Sequence, residues 1–395
     1  MSPTCRFLRR PVARYWARHT HVSAVHVQTS PVDPRSVDIR IFDDHGLDLD
    51  KRIERKLESL YFREAIRRVS HYEMGRIIRR DGQTDRYVEE VLSKVDLEAV
   101  RGGAFKVLVD YNNGAAALAL PRVLQEMNAT VIPLSAAPAE IVIEQDSATF
   151  SAHLQEMGVI VSAVKARLGI FIDTPGERCF LIDETGEVLT HDEAFAVVVQ
   201  LALGNKPGLV LGPASASIAF SMIAEQMKSR FVPTKITPGA VLRAAQHADT
   251  VVASDGAGGY CWPDFAVSFD AIFTTVRLLE LLAHSGASLR SLRDRIPSVA
   301  HRAAVEFCPW EVKGRVMRTM MEKHIKDRVD LTDGVKVFVE GGWVLVVPDA
   351  DRPEYHIIAS TLDPVKSAAL VEEYSALVRA VVTEMAPQAE GVVET

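Results

Sequence analysis

Cysteine is scarce in this chain. Cys5, Cys179, Cys261 and Cys308 lie far apart in 395 residues. That excludes a disulfide framework and a closely spaced zinc site, and makes a reducing cytoplasm the expected setting. Long apolar runs are lacking as well. The stretch around Phe195–Leu203 is too short to span a bilayer, so no membrane partner is expected. A surplus of positive charge is also missing. With 45 Lys and Arg against 52 Asp and Glu, the formal net charge is −7, and the chain as a whole has no electrostatic case for nucleic acid.

What the chain does have is core-forming material. Hydrophobic residues make up 48% and charged residues 25%, a globular balance with room for about two to four compact domains. The first 32 residues carry five arginines and no acid. That composition suits an organelle transit peptide or a basic amphipathic helix, PVARYWARH, leading into a strand, SAVHVQT; the helix is preferred.

Further on, strand-like and helix-like runs alternate, the mark of α/β layers. FKVLVD (105–110) and ATVIPL (129–134) flank a turn and helix in one βαβ unit. After a linker at GNKPG (204–208), LVLGP, RFVPTK and TVVAS repeat the pattern, with a glycine-rich loop, DGAGGY (255–260), behind them. DAIFTTVRLLELLAHSG then reads as a helix with Ile272, Val276, Leu279 and Ala283 on one face and Gly286 ending it. From about Ser298 the texture becomes a small sheet flanked by helices Glu311–Lys323 and Pro364–Val382, an α+β end domain, followed by a polar tail, APQAEGVVET.

One stretch poses a chemical question. In LGIFIDTPGERCFLID (168–183), two apolar runs flank a loop carrying Asp173, Glu177 and Arg178 around a Pro-Gly pair. Pro-Gly suits the centre of a tight turn. The carboxylates suit a hard cation such as Mg²⁺. Both readings stay open.

Four loops in order now resemble one family, the α-D-phosphohexomutases, which include phosphomannomutase and phosphoglucomutase. They are the serine loop in HVQTSPVDP, the acidic loop above, the glycine loop SDGAGGYCWPDF and the loop VVPDADRPEYHII in the end domain. The resemblance runs from about Pro11 to Glu384 and is carried most by SPVDPRSVDIRIFDDHGLDLD and DGVKVFVEGGWVLVVPD. It looks nearest to the mutase-like half of bacterial fusions in which a sugar-1-phosphate nucleotidyltransferase comes first.

The family implies α/β layers and a C-terminal α+β domain around a cleft. It also implies phosphoryl transfer between a phosphoserine and a hexose phosphate, with Mg²⁺ neutralising the moving group. By this resemblance Ser30 is the phosphoserine, Asp173 and Glu177 hold Mg²⁺, Arg178 grips phosphate, Asp255 reads sugar hydroxyls and Arg352 binds the substrate phosphate. Expected divisions are 1–98, 99–207, 208–297 and 298–395, the first a shortened version of the family's first domain.

The chain departs from the family pattern at each loop. Pro31 stands where a histidine follows the serine, and Pro175 replaces the middle carboxylate of the acidic loop. Ala257 and Gly259 replace a serine and a histidine. In the end domain, Val347 replaces an arginine, while Asp349 and Asp351 take hydroxyl positions. Two carboxylates there would repel a phosphate, unless they face solvent in a plain turn. Two functions therefore compete. One is a mutase acting on mannose or glucose phosphate. The other is a degenerate mutase fold that binds a sugar phosphate and serves or regulates a nucleotidyltransferase domain or chain.

Overall fold

The computed structural model describes residues 2–4, 10–30, 33, 35–64, 68–74, 77–79, 82–139, 146–350 and 352–385. Cys5, Pro31, Asp351 and the tail from 386 lie outside the described residues. The arginine-bearing N-terminal segment forms a helix, Arg10–Thr20, and leads into an antiparallel hairpin of Ala24–Thr29 and Val37–Phe42.

Two α/β layers follow, and their sheets share one strand order. In the first, Lys106–Asp110 is central, with Thr130–Leu134 and Leu168–Ile172 parallel on either side and Cys179–Ile182 returning antiparallel. In the second, Leu209–Pro213 is central between Arg230–Thr234 and Thr250–Ser254, and Tyr260–Trp262 returns antiparallel. A fifth strand, Ala266–Phe269, extends this sheet. Short apolar runs make these strands; the inner ones are buried along most of their length, as parallel layers require, while the edge strands Thr130–Leu134 and Arg230–Thr234 are mostly half-buried. Pro121 does not interrupt the helix after the first strand: it sits in the opening turn of Leu120–Glu126, where a missing N–H costs nothing.

Two helices bind the layers together. His191–Asn205 starts with a reciprocal cap between Thr190 and Glu193. Ala271–Ser285 is capped by Asp270, which accepts from the Phe273 N–H, and ends at Gly286 in the left-handed region. The sequence assigns this helix one apolar face; in the fold it is buried nearly all round, from Ala271 to Leu282. One continuous core, running from Val12 to Leu292, joins both layers and the first helix.

The C-terminal part has a core of its own, from Cys308 to Val381. Its antiparallel sheet comprises Ala300–Phe307, Glu354–Thr361, Gly342–Pro348, Val335–Val339 and Val329–Asp330. It docks on the second layer through Trp343, Leu345 and Val347 against Ala214, and through the Ile218 N–H, which donates to Ser360 Oγ at 3.1 Å. Cys179, Cys261 and Cys308 are buried free thiols. No helix among the described residues is long and apolar enough to cross a membrane.

Candidate active site

Equivalent strand order puts two loops in equivalent places. The acidic loop 173–178 and the glycine loop 255–259 each connect the third strand of a layer to its antiparallel return. They meet edge to edge: the Cys179 N–H donates to the Gly258 carbonyl at 2.9 Å, and Arg178 bridges Gly259. Gly258 has φ +93°, and a Cβ there would lie 2.9 Å from the Cys179 carbonyl oxygen, so this close approach requires glycine. The loops, the first helix and the N-terminal hairpin enclose a cavity of about 670 Å³ lined by Arg10, Arg14, Asp38, Asp48, Asp173, Glu177, Arg178 and Asp255, among others.

Asp173 spends its charge on its own turn. Its Oδ1 accepts the N–H groups of Glu177 (2.8 Å) and Arg178 (3.0 Å), while the Gly176 N–H donates to its carbonyl at 2.9 Å. Two other hairpins also close on an aspartate, but one residue tighter, with the amides two and four residues on in place of those four and five residues on. Asp43 Oδ1 accepts from His45 and Leu47, both at 2.9 Å. Asp183 Oδ1 accepts from Thr185 at 2.9 Å and Glu187 at 3.0 Å. Each has a glycine at positive φ three residues after the aspartate. An aspartate gathering two amides of its own loop, with a glycine three residues on, is thus a recurring turn device. Burial raises its carboxyl to about 7, against the pull of the two amides and with the Glu177 charge adding to the rise.

Arg178 reaches the other way, its Nε donating to Asp255 Oδ2 at 2.9 Å. Asp255, whose side chain is 2% exposed, gives Oδ1 to the N–H groups of Ala257 (2.8 Å) and Gly259 (2.9 Å). Burial, the largest single influence, lowers the Arg178 guanidinium, but the charge and hydrogen bond of Asp255 together with the Asp173 and Glu177 charges outweigh it, and the net shift is upward. Behind both loops lies Asp270. Its N–H donates to the Tyr260 carbonyl, and the next N–H, of Ala271, donates to the Gly176 carbonyl at 3.0 Å. Burial raises the Asp270 carboxyl to about 6, while bonds from the Phe273 N–H and from the Tyr87 hydroxyl, at 2.7 Å, hold it down.

Sequence reasoning passed over Arg10 and Arg14. They stand four apart and so share one face of the first helix. Arg10 Nη1 donates to Glu177 Oε2 and Arg14 Nε to Glu177 Oε1, each at 3.2 Å. Beyond Glu177, Arg10 pairs with Asp38 at 3.5 Å; Arg14 pairs with Asp48 at 2.9 Å and donates to the Gly46 carbonyl at 3.0 Å. The Arg14 guanidinium also lies 4.2 Å from the Phe42 ring centre. The Arg-x-x-x-Arg spacing was the available signal, but its partner is more than 160 residues away.

This arrangement is a poor fit for Mg²⁺. Both Glu177 oxygens are taken by guanidinium groups, Asp173 Oδ1 serves two amides, and Pro175 offers no side-chain ligand. Octahedral Mg²⁺ needs oxygens that are not already committed to buried cations.

The fold brings Asp173, Glu177, Arg178 and Asp255 together. It sets the other two candidates apart. Ser30 follows the strand Ala24–Thr29, is buried, donates its N–H to the Ser36 carbonyl at 3.0 Å and accepts the Asp33 N–H on Oγ at 3.5 Å. It does not figure among the described residues lining the cavity. Arg352 is exposed on the hairpin between Gly342–Pro348 and Glu354–Thr361, also off the cavity wall. Asp349 is occupied within that hairpin, accepting the Arg352 N–H at 2.9 Å and meeting His356 Nε2 at 2.9 Å. With Glu354, these groups place three ligand atoms within 4.8 Å of one another.

Comparison with known proteins matches the two α/β layers and the fold. Residues 85–186 match the family model for phosphoglucomutase/phosphomannomutase, alpha/beta/alpha domain II, and 190–299 match domain III of the same family. A phosphoglucomutase/phosphomannomutase of Thermococcus kodakarensis is 27% identical over 367 residues, covering 92% of this chain and 80% of that protein. A phosphoglucosamine/phosphogalactosamine mutase of Sulfurisphaera tokodaii is 24% identical, over 86% of this chain and 76% of its own length. The crystal structure of a phosphoglucomutase/phosphomannomutase family protein from Burkholderia thailandensis superposes with a TM-score of 0.79, covering 95% of this chain and 81% of that one. At 16% identity, that likeness speaks to the fold.

Proposed function

The chain belongs to the phosphoglucomutase/phosphomannomutase family, and from that premise we propose that its central cavity holds a hexose phosphate. Arg178 grips the phosphate, and Asp255, expected from the sequence to read sugar hydroxyls, instead positions Arg178, its oxygens being taken by that guanidinium and two amides. The observation that carries this reading is the Arg178–Asp255 pair. Its cation is 43% exposed, stands on the cavity wall where two layers meet, and is held in place by a carboxylate that is itself fixed by two amides.

Ser30 is the residue assigned to carry a phosphoryl group. Two features weigh against fast turnover. Ser30 does not line the cavity, and the Glu177 carboxylate expected to hold Mg²⁺ is already neutralised. We therefore read the site as one that binds a hexose phosphate with slow or no transfer. It would serve as a sugar-phosphate-binding or regulatory module of a sugar-1-phosphate nucleotidyltransferase, as upstream domain or separate chain. The choice between mannose and glucose rests with the ligand test.

Titration calorimetry of the full chain with mannose 1-phosphate and glucose 1-phosphate tests the binding. Saturable binding is expected, weakened at least tenfold, about 1.4 kcal/mol, in Arg178→Ala. Absence of binding to either overturns the site. Turnover is followed separately by ³¹P NMR with a hexose 1,6-bisphosphate primer. Rapid interconversion of 1- and 6-phosphates, abolished by Ser30→Ala, would overturn the slow-turnover reading and restore the mutase.

A further inference from the structure

We propose that Arg10 and Arg14 take the place of a divalent cation at the acidic loop, so that the cation of this site is built into the chain. The inference concerns the cation alone and stands whichever ligand the cavity takes.

Glu177 is the carboxylate of the acidic loop that points away from its own turn, and its two oxygens are claimed by two different guanidinium groups. A single residue pair would leave one oxygen open to a metal; this arrangement does not. Both arginines are buried, and both are anchored on their far sides by Asp38, Asp48 and the Gly46 carbonyl. They hold their place without Glu177 and present it with a prepared pair of donors. Removing one member of a buried pair leaves an uncompensated charge, so displacing the guanidiniums by a metal is unfavourable twice over. Glu177 must leave two buried cations, and the incoming ion must settle beside them at the same polarity.

The rest of the loop offers no compensation. Asp173 Oδ1 is engaged by two amides and Pro175 has no side-chain ligand, so a single Asp173 oxygen is too little to hold an octahedral ion. A guanidinium stays charged at every accessible pH and cannot dissociate from the chain. The order of the acidic loop is then independent of divalent ions, and the cavity keeps its charge pattern in chelator.

The test uses Mn²⁺ as a paramagnetic probe, with electron paramagnetic resonance of free Mn²⁺ titrated against the full chain. No saturable binding that depends on the acidic loop is expected up to about 1 mM. The double substitution Arg10→Met with Arg14→Met frees Glu177, and a Mn²⁺ site at least tenfold tighter should appear, lost again on adding Glu177→Gln. Melting temperature supplies a second readout. Any difference between EDTA and excess Mg²⁺ should be the same, to within about 1 °C, in wild type and in Asp173→Asn, because an ion that does not bind the acidic loop is not lost with it.

Binding that survives both Asp173→Asn and Glu177→Gln lies elsewhere, for instance at Asp349, Glu354 and His356, and supports the proposal. A wild-type Mn²⁺ site lost in Asp173→Asn overturns it. So does a folded double-arginine variant that still takes no Mn²⁺.

Discussion

The acidic loop and the glycine loop occupy matching places in two sheets of matching strand order, yet they use their charges differently. Each opens with an aspartate whose Oδ1 gathers two amides of its own loop. Beyond that shared task they part. In the glycine loop the second oxygen of Asp255 reaches across to Arg178. In the acidic loop the outward carboxylate is Glu177, and a helix from outside the layer claims it with two arginines. An aspartate after a strand therefore announces a turn, and what the loop does next depends on the cation that tertiary structure brings to it. A site built this way can lose a metal without losing its shape.

The largest expected effect comes from Asp255→Ala, which strips two amides of their acceptor and Arg178 of its partner. We expect a loss of about 3–4 kcal/mol in urea denaturation, and about half that for Asp255→Asn, which keeps an acceptor oxygen. Asp173→Ala, lacking a cross-loop partner to lose, should cost less, about 1–2 kcal/mol. Equal losses at the two aspartates would break the comparison.

Asp270 supports both loops, so its titration should move them together. Its folded value of about 6 lies above the unfolded value near 4. The stability it confers is therefore complete below about pH 4 and is lost as pH rises through about 6. Asn at this position has no such loss. Relative to wild type, Asp270→Asn should gain up to about 3 kcal/mol between pH 4 and pH 8, measured by denaturation at each pH. A flat difference would remove Asp270 as a buried titrating group.

The glycines sharpen the contrast further. Gly258→Ala forces both a positive φ and a contact with the Cys179 carbonyl, and about 2–3 kcal/mol is expected. Gly176 has φ +77° but its nearest neighbour, Pro11, is 3.9 Å away, so Gly176→Ala should cost about 1 kcal/mol. Smallest of all, Pro175→Ala should stay within about 0.5 kcal/mol, since that proline contributes turn geometry alone.

Much of this molecule could be read from its sequence because the signals are local. The strand at 106–110, the helix starting near residue 11 and the stop at Gly286 all follow from patterns a few residues long. The turn at Asp173 was also legible. Asp-x-x-Gly occurs at 43–46, 173–176, 183–186 and 255–258, and in each the aspartate gathers two amides of its own loop. The arginine clamp was not legible, because Arg10 and Glu177 are 167 residues apart and no periodicity links an ion pair across such a distance. The partner of Asp349 was not legible either: His356, seven residues on, meets it only because the intervening hairpin folds back.

The bond from Cys179 to the Gly258 carbonyl carries one more consequence, which is kinematic. Two bodies that share a strand-like bridge at their loops and a single core behind them cannot hinge about the cavity between them. The two layers then meet a guest as a single fixed jaw.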